Sequence, residues 1–146
     1  GMIEARSLVT DGIFRRLIDA EAKTVGDDPR RAAALAPVRR RGEEAQRAAT
    51  AGDLNILIGY DLRFWRELSA LFGNPYLADF LHRLRVRSWV CAVQHLRRST
   101  DLRGRLWSGH SELVDALARH DPAAAHAVVT GYNTHSLDLL ERLVGG

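Results

Sequence analysis

Asp61 is the residue whose type and position most clearly indicate chemistry. It interrupts an otherwise apolar helical face that also carries Leu57, Phe64 and Leu68. A carboxylate on such a face must be paired, hydrogen-bonded or bound to a metal, because burying it alone is costly. On the residues alone two partners stay open, a metal ion or one of the 20 arginines, and a buried ion pair is the commoner arrangement.

Histidines are the other candidate metal ligands. The chain has six of them: His82, His95, His110, His120, His126 and His135. No Glu-x-x-His or His-Glu-x-x-His pattern occurs, which excludes a di-iron carboxylate bundle and the zinc proteases that use this motif. A Gly-x-Ser-x-Gly elbow and a phosphate-binding glycine loop are also missing from the sequence. The sequence motifs therefore give no support for these kinds of catalysis, and we expect a protein that is not an enzyme.

Composition and charge restrict the class of protein. The chain has 146 residues, of which 46% are hydrophobic and 27% charged, which suits one globular domain. No apolar run approaches the ~18 residues of a membrane span, and no leader peptide opens the chain, so we expect a cytoplasmic protein without a membrane partner. The net charge of +3 comes from arginines interspersed with acids, as on solvated helix faces, and does not indicate direct nucleic-acid binding. The single cysteine, Cys91, excludes an internal disulfide, and its apolar neighbours predict a core position.

Gly, Pro and Asp divide the chain into segments of helical length. Apolar residues recur at three- and four-residue spacings within most segments, and alternation with a period of two is absent. The predicted helices are 3–23, 30–51, 54–71, 76–96, 102–118 and 123–144. The second has the weakest apolar face, so we expect it to be the most exposed. These features predict an all-α fold, an antiparallel bundle of about six helices with short connections.

Three blocks of this sequence resemble the effector domain of GntR-family transcription regulators of the FadR subfamily, the FCD domain. The stretch 61–68, Asp-Leu-Arg-Phe-Trp-Arg-Glu-Leu, with Gly-Asn-Pro-Tyr-Leu at 73–77, is similar to the family signature D-x-x-F-H-x-x-L followed by G-N-P-x-L. His110-Ser-Glu-Leu with Asp121 and Ala125 resembles a second block, and Glu4-Ala-Arg6 resembles the E-x-R element that begins the domain. The blocks occur in the family's order along nearly the whole chain.

The resemblance implies a helical bundle that encloses a pocket for a small metabolite, often one that bears a carboxylate. Many members hold a divalent metal there with one Asp and three His. Asp61 matches that Asp, and His110 matches one His. The chain departs from the pattern at two positions, because Trp65 and Tyr132 stand where the family has its first and last His.

This departure leaves two hypotheses about the site. In the first, His135 replaces the missing ligand, and Asp61, His110 and His135 bind zinc, nickel or manganese. In the second, which we favour, no cofactor is bound and Trp65 fills the volume of the metal. The effector would then contact a set of side chains in a purely organic pocket: Arg6, Asp61, Trp65, His110, Tyr132 and Asn133. Without a cation, Asp61 would favour an amine or hydroxyl donor, or an arginine such as Arg6.

The resemblance further implies the role of the chain. Residues 2–146 would be the effector-sensing and dimerising domain of a bacterial regulator that forms a homodimer. Operator DNA would be bound only by a winged helix-turn-helix domain of the parent protein, which these residues do not contain. Two alternatives stay open: a small helical metalloenzyme that uses Asp61, His110 and His135, and a protein-interaction bundle without a small ligand.

Overall fold

The computed structural model describes residues 29–72, 75–99 and 101–145, and the regular structure in these ranges is entirely α-helical. Five helices follow one another in these ranges: α1 Pro29–Ala51, α2 Leu54–Phe72, α3 Pro75–Arg97, α4 His110–Ala118 and α5 Pro122–Gly145. The prediction of an all-α bundle is confirmed. The helix predicted at 3–23 and Arg6 lie outside the described residues. None of the helices described is both long enough and apolar enough to cross a membrane.

The helices pack through a few close faces. Helix α1 lies against α2 and α4, α2 also lies against α3, and α5 packs on α4 and, at fewer points, on α3. Although α1 is only weakly apolar, it buries Leu35 and Val38 together with Ala45, Ala48 and Ala49. Small side chains allow two helices to approach closely. The buried alanines therefore give α1 close contacts with its neighbours, although its low hydrophobicity had predicted an exposed helix.

Two connections use the same capping arrangement. Gly52 and Asp53 donate their N–H groups to the carbonyls of Ala49 and Ala48, which closes α1 in a Schellman motif, with Gly52 at φ 73°. His120 and Asp121 repeat this pattern at the end of α4, with His120 at φ 55° in the place usually taken by glycine. The two aspartates then cap the next helices, since Oδ1 of Asp53 accepts the N–H of Ile56 and Oδ1 of Asp121 accepts the N–H of Ala124. These caps fix the short turns predicted at both places.

The helix predicted at 102–118 begins eight residues later than expected, at His110. Residues 101–109 form turns and irregular backbone instead, with Gly104 at φ 76°. Asp101 does not cap a helix: its carboxylate accepts hydrogen bonds from the backbone N–H, Nε and Nη2 of Arg103. Leu102 and Leu106 are buried, and their spacing of four imitates a helical face in the sequence. His110 is consequently the first residue of α4 and not in the middle of a helix.

The buried apolar residues form two clusters, and Asp61 lies where they meet. One cluster is centred on Phe64, Trp65 and Leu113. The other contains Leu57 and joins the second half of α1 to the end of α3. Along α2, Asp61 stands between Leu57 and Phe64, so the buried polar centre separates the two clusters. Cys91 belongs to neither cluster: it is exposed on α3, and its predicted core position is wrong.

Candidate functional site: a buried carboxylate beside an aromatic cavity

Among the residues that the structure describes, three N–H donors from three helices hold Asp61. The residue is only 3% exposed. Its Oδ1 accepts Nε2–H of His110 at 2.8 Å and the indole N–H of Trp65 at 3.2 Å, and its Oδ2 accepts the indole N–H of Trp89 at 3.1 Å. A carboxylate only accepts hydrogen bonds, so His110 carries a proton on Nε2. The burial of Asp61 is therefore balanced by hydrogen bonds from α2, α3 and α4.

His110 reaches Asp61 from the N-terminal end of α4. Gly109 precedes it, and the carbonyl of Gly109 accepts the N–H of Leu113, the first hydrogen bond of that helix. The imidazole is fully buried between Phe64, with ring centroids 4.9 Å apart, and Trp107, at 4.4 Å. Gly42 of α1 packs directly against His110: a Cβ atom added at Gly42 would lie 3.1 Å from the Cβ of His110. Close approach of α1 therefore holds His110 against Asp61.

Aromatic rings surround the indole of Trp65. Its ring centroid lies 4.7 Å from that of Tyr132 and 5.8 Å from that of Trp107, with which it is stacked. Trp65 is fully buried. On the indole face, the guanidinium of Arg85 lies 4.5 Å from the ring centroid, in cation–π contact. Arg85 is itself only 2% exposed, so a buried cation and the buried Asp61 anion contact the same indole.

A cavity opens on one side of this centre. Its volume is about 620 Å³ including the open mouth, of which about 70 Å³ is wide enough for the centre of a water molecule. Most of the wall is apolar and aromatic, and the polar groups are few. The lining residues come from α2, α3, α5 and the 101–109 segment: Leu57, Asp61, Arg85, Ser88, Trp89, Ala92, Leu106, Trp107, Tyr132, His135, Ser136 and Leu139. An apolar concavity with a few convergent polar groups is typical of a small-molecule site.

The hydroxyl groups of the wall already donate to their own helices. Ser88 Oγ–H donates to the carbonyl of Leu84 at 2.8 Å, and Ser136 Oγ–H donates to that of Tyr132 at 3.1 Å. Each serine therefore presents lone pairs to the cavity and no spare donor. His82 lies on the same helix as Ser88, and burial, followed by the nearby Arg66 and Arg85, lowers the pKa of its imidazole. The lowered pKa therefore reflects burial first, and then the positive charges of Arg66 on α2 and Arg85 on α3.

The structure brings together four of the six residues predicted to bind the effector, in two different roles. Asp61 and Tyr132 line the cavity. Trp65 and His110 are fully buried behind Asp61 and are not among the residues that line the cavity. Asn133 is buried on α5 but is not among the lining residues. Arg6, the sixth, lies outside the described residues.

Sequence reasoning missed Arg85, Trp89 and Trp107. A signal for Arg85 was present: it lies on the stripe of α3 that buries Leu81, Leu84 and Ala92, and so interrupts an apolar face as Asp61 does. Trp89 continues that stripe four residues after Arg85. Trp107 had no such signal, because it lies in the irregular segment before α4.

The residues around Asp61 do not fit a metal ion. Within ranges 29–72, 75–99 and 101–145, no three His, Cys, Asp or Glu side chains lie close enough to hold one. The predicted set of Asp61, His110 and His135 is not assembled, because Nε2 of His135 bonds to the carbonyl of Arg105 at 2.9 Å. A nitrogen that donates its proton to a carbonyl has no lone pair for a metal. The ligand set of the metalloenzyme alternative is likewise not assembled.

Comparison with known families agrees with this architecture. The family model described as the FCD domain matches residues 3–134. No curated protein and no solved structure is significantly similar to the chain. FCD domains are regulatory ligand-binding domains of GntR-type transcription factors. A match over most of its length shows that this chain belongs to the FCD domain family.

Proposed function

We propose that this chain senses a small organic acid in the cavity beside Asp61 and transmits its binding through a homodimer. The observation that carries the proposal is the buried guanidinium of Arg85 on a cavity wall that is mostly apolar and aromatic. The effector would alter the operator affinity of a DNA-binding domain elsewhere in the parent protein. Coupling between two such sites is typically about 1–3 kcal/mol.

The charges on the wall favour an anionic effector. Asp61 already accepts three hydrogen bonds, so little of its acceptor capacity is left for a donor on the ligand. Arg85 has five N–H donors in a planar fork, and can therefore bind a carboxylate in addition to its present contacts. Trp89 and Trp107 offer flat apolar surfaces beside it. We expect an organic acid with an apolar or aromatic body.

A ligand screen by thermal denaturation tests this chemistry. Aliphatic and aromatic carboxylic acids are compared with amines of the same carbon skeletons. We expect acids to raise Tm, since a ligand present at a hundred times its Kd stabilises the native state by about 2.7 kcal/mol. Amines should leave Tm unchanged. Stabilisation by amines alone would contradict the proposal.

The role of Arg85 is tested by calorimetry on any acid that binds. Arg85→Gln should weaken binding by about ten- to a hundredfold, because a hydrogen bond to a charged group contributes roughly 1.5–3 kcal/mol. Arg87→Gln is the matched control, since Arg87 is exposed on the same helix. Arg85→Lys, which keeps the positive charge, serves if Arg85→Gln does not fold. Equal affinity of the acid for the native protein and the Arg85 variants would show that the acid binds elsewhere.

Exposed apolar residues on α3 support the dimer. Tyr76 is 85% exposed and Val90 is 65% exposed, and Phe80 lies one turn after Tyr76 on the same helix. Symmetric dimers are the commonest homo-oligomers of soluble proteins, and an exposed apolar patch often marks the contact. Sedimentation analysis should give the mass of two chains, and Val90→Glu should lower it to one. Ile56→Glu, on the exposed part of α2, is the control. A native mass of one chain at micromolar concentration would contradict the dimer.

A further inference from the structure

Within the part of the chain that the structure describes, every hydrogen-bond partner of the Asp61 carboxylate is a donor. The indoles of Trp65 and Trp89 have an N–H and no lone pair in the ring plane, so they can donate but cannot bind a metal. His110 donates from Nε2. A metal site needs the opposite arrangement, in which each neighbouring group offers a lone pair to a shared cation. The surroundings of Asp61 are therefore those of a hydrogen-bonded anion.

Asp61 and His110, the two residues that match the family's metal ligands, form a hydrogen bond with each other. Nε2 of His110 lies 2.8 Å from Oδ1 of Asp61. The imidazole has only Nδ1 left, on the other edge of the ring, and this atom has no hydrogen-bond partner in the described part of the chain. One ion cannot be held by both residues unless the hydrogen bond between them breaks. In this arrangement Asp61 and His110 form a pair with each other and not a chelate.

The indole of Trp65 also connects the two buried charges. Its N–H donates to Asp61, while the guanidinium of Arg85 lies over its face at 4.5 Å. A cation on the face of an aromatic ring is attracted by the electrons of the ring, and in turn makes the N–H a stronger donor. Arg85 thus contributes to balancing the charge of Asp61 through Trp65. A divalent cation in a metal site would balance that charge directly.

We infer that in this chain three N–H groups, from Trp65, Trp89 and His110, replace the metal ion of the family's site. They stabilise the buried carboxylate of Asp61 by hydrogen bonds and link α2, α3 and α4 beside the cavity. Trp89 belongs both to this centre and to the cavity wall, so the centre shapes the pocket directly. The inference concerns the position at which the family holds its metal, and it does not depend on the effector that binds in the cavity.

Metal binding is the first test. Native protein purified without chelator is incubated with Zn²⁺ or with Mn²⁺, desalted and analysed by plasma mass spectrometry. We expect no stoichiometric metal in the native protein or in Trp65→Phe, which keeps a ring but has neither donor nor ligand. Uptake of one zinc ion per chain by Trp65→His, which places a ligand one turn after Asp61, would support the inference. Stoichiometric metal in the native protein that is lost in Asp61→Asn would overturn it.

Nuclear magnetic resonance of the native protein tests the hydrogen bonds themselves. The chain has three tryptophans and hence three indole N–H signals. We expect those of Trp65 and Trp89 to be shifted downfield and to exchange slowly with D₂O, and to move in Asp61→Asn, whereas Trp107 makes no hydrogen bond to Asp61 and serves as the internal reference. If Asp61→Asn does not fold, Trp65→Phe should still shift the Trp89 signal, since both indoles donate to one carboxylate. Signals of Trp65 and Trp89 at ordinary positions with rapid exchange would overturn the inference.

Discussion

Trp65 lies one helical turn after Asp61 and donates its indole N–H to the carboxylate at 3.2 Å. This position is the one at which the family signature has a histidine. An indole at this position donates a hydrogen bond to the carboxylate and has no lone pair to offer a metal ion. It also brings the face of its ring under the buried guanidinium of Arg85.

Replacing Asp61 should destabilise the fold strongly. In Asp61→Asn one side of the amide is itself a donor, so at least one buried N–H of Trp65, Trp89 or His110 loses its acceptor. A buried donor without a partner costs about 1–3 kcal/mol. Urea denaturation followed by circular dichroism measures the change in the free energy of unfolding. Asp138→Asn, at an exposed position on α5, should change it little; equal losses in the two variants would contradict the role of the three hydrogen bonds.

Two glycines on neighbouring helices should respond to alanine in opposite directions. At Gly42 a methyl group would stand 3.1 Å from both His110 Cβ and Phe64 Cε2, and both residues are fully buried. Overpacking of this kind costs about 1–3 kcal/mol, more than the gain of up to about 1 kcal/mol in helix propensity. At Gly59 a methyl group meets nothing within 4 Å, so Gly59→Ala should stabilise the protein by about 0.5–1 kcal/mol.

The melting temperatures of Gly42→Ala and Gly59→Ala test this difference. Each glycine lies inside a helix, so alanine raises the helix propensity in both variants. The variants differ in the contact with His110 and Phe64, which only the methyl group at position 42 makes. A Tm for Gly42→Ala equal to that of Gly59→Ala would show that α1 does not press on His110.

We expect the free energy of unfolding to decrease on mild acidification because of His82. Burial and the nearby arginines lower the pKa of its imidazole, so the folded protein disfavours the protonated form. Above the ordinary histidine pKa of about 6.5 the residue is neutral in both states and has no effect. As pH falls from there towards the lowered pKa, the unfolded chain takes up more protons, and the free energy of unfolding decreases.

Urea denaturation at a series of pH values checks this slope. His82→Gln cannot titrate, so the part of the decrease below neutral pH that belongs to His82 should vanish. His126→Gln is the control, because His126 is exposed on α5. If His82→Gln and the native protein lose the same free energy on acidification, the surroundings of His82 do not disfavour its charge.

The cap of α5 should contribute measurably to stability. Asp121 Oδ1 accepts the N–H of Ala124 at 3.0 Å, and Pro122 follows as the first helical residue. Asp121→Ala should lower the free energy of unfolding by about 0.5–2 kcal/mol, whereas Asp121→Asn keeps an N-cap acceptor and should cost much less. Thermal denaturation of the two variants gives the comparison, and equal Tm values would show that the side-chain cap contributes nothing.

Local signals predicted the helices well where short-range interactions decide them. Gly52-Asp53 and His120-Asp121-Pro122 mark helix boundaries in the sequence, and the structure forms caps at both. The same reasoning failed at 102–109, where Leu102 and Leu106 are buried by the second apolar cluster although their backbone is not helical. Burial there comes from neighbours distant in sequence, and a spacing of four residues does not reveal that.

The polarity of the site was visible in the sequence, and the family resemblance placed Trp65 and His110 in one site with Asp61, but the hydrogen bonds to Asp61 were not visible. Asp61 stood out because it interrupts an apolar face, and a chain rich in arginine suggested an ion pair. The structure instead supplies Trp89, 28 residues later, and His110, 49 residues later, as hydrogen-bond donors. Cys91 also shows that neighbours in sequence do not reveal which face of a helix is buried. Its apolar neighbours predicted burial, but Cys91 is exposed on α3.

The sequence by itself determined that Asp61 needs a partner, that its helix is bounded by caps, and that Trp65 cannot serve as a metal ligand. These properties depend on side-chain chemistry and on residues within one turn. Only the tertiary structure decided that the partners are N–H groups and that Arg85 lies over Trp65. The physical reason is that hydrogen bonds and burial between helices depend on which faces meet, and this is fixed by packing of the whole bundle.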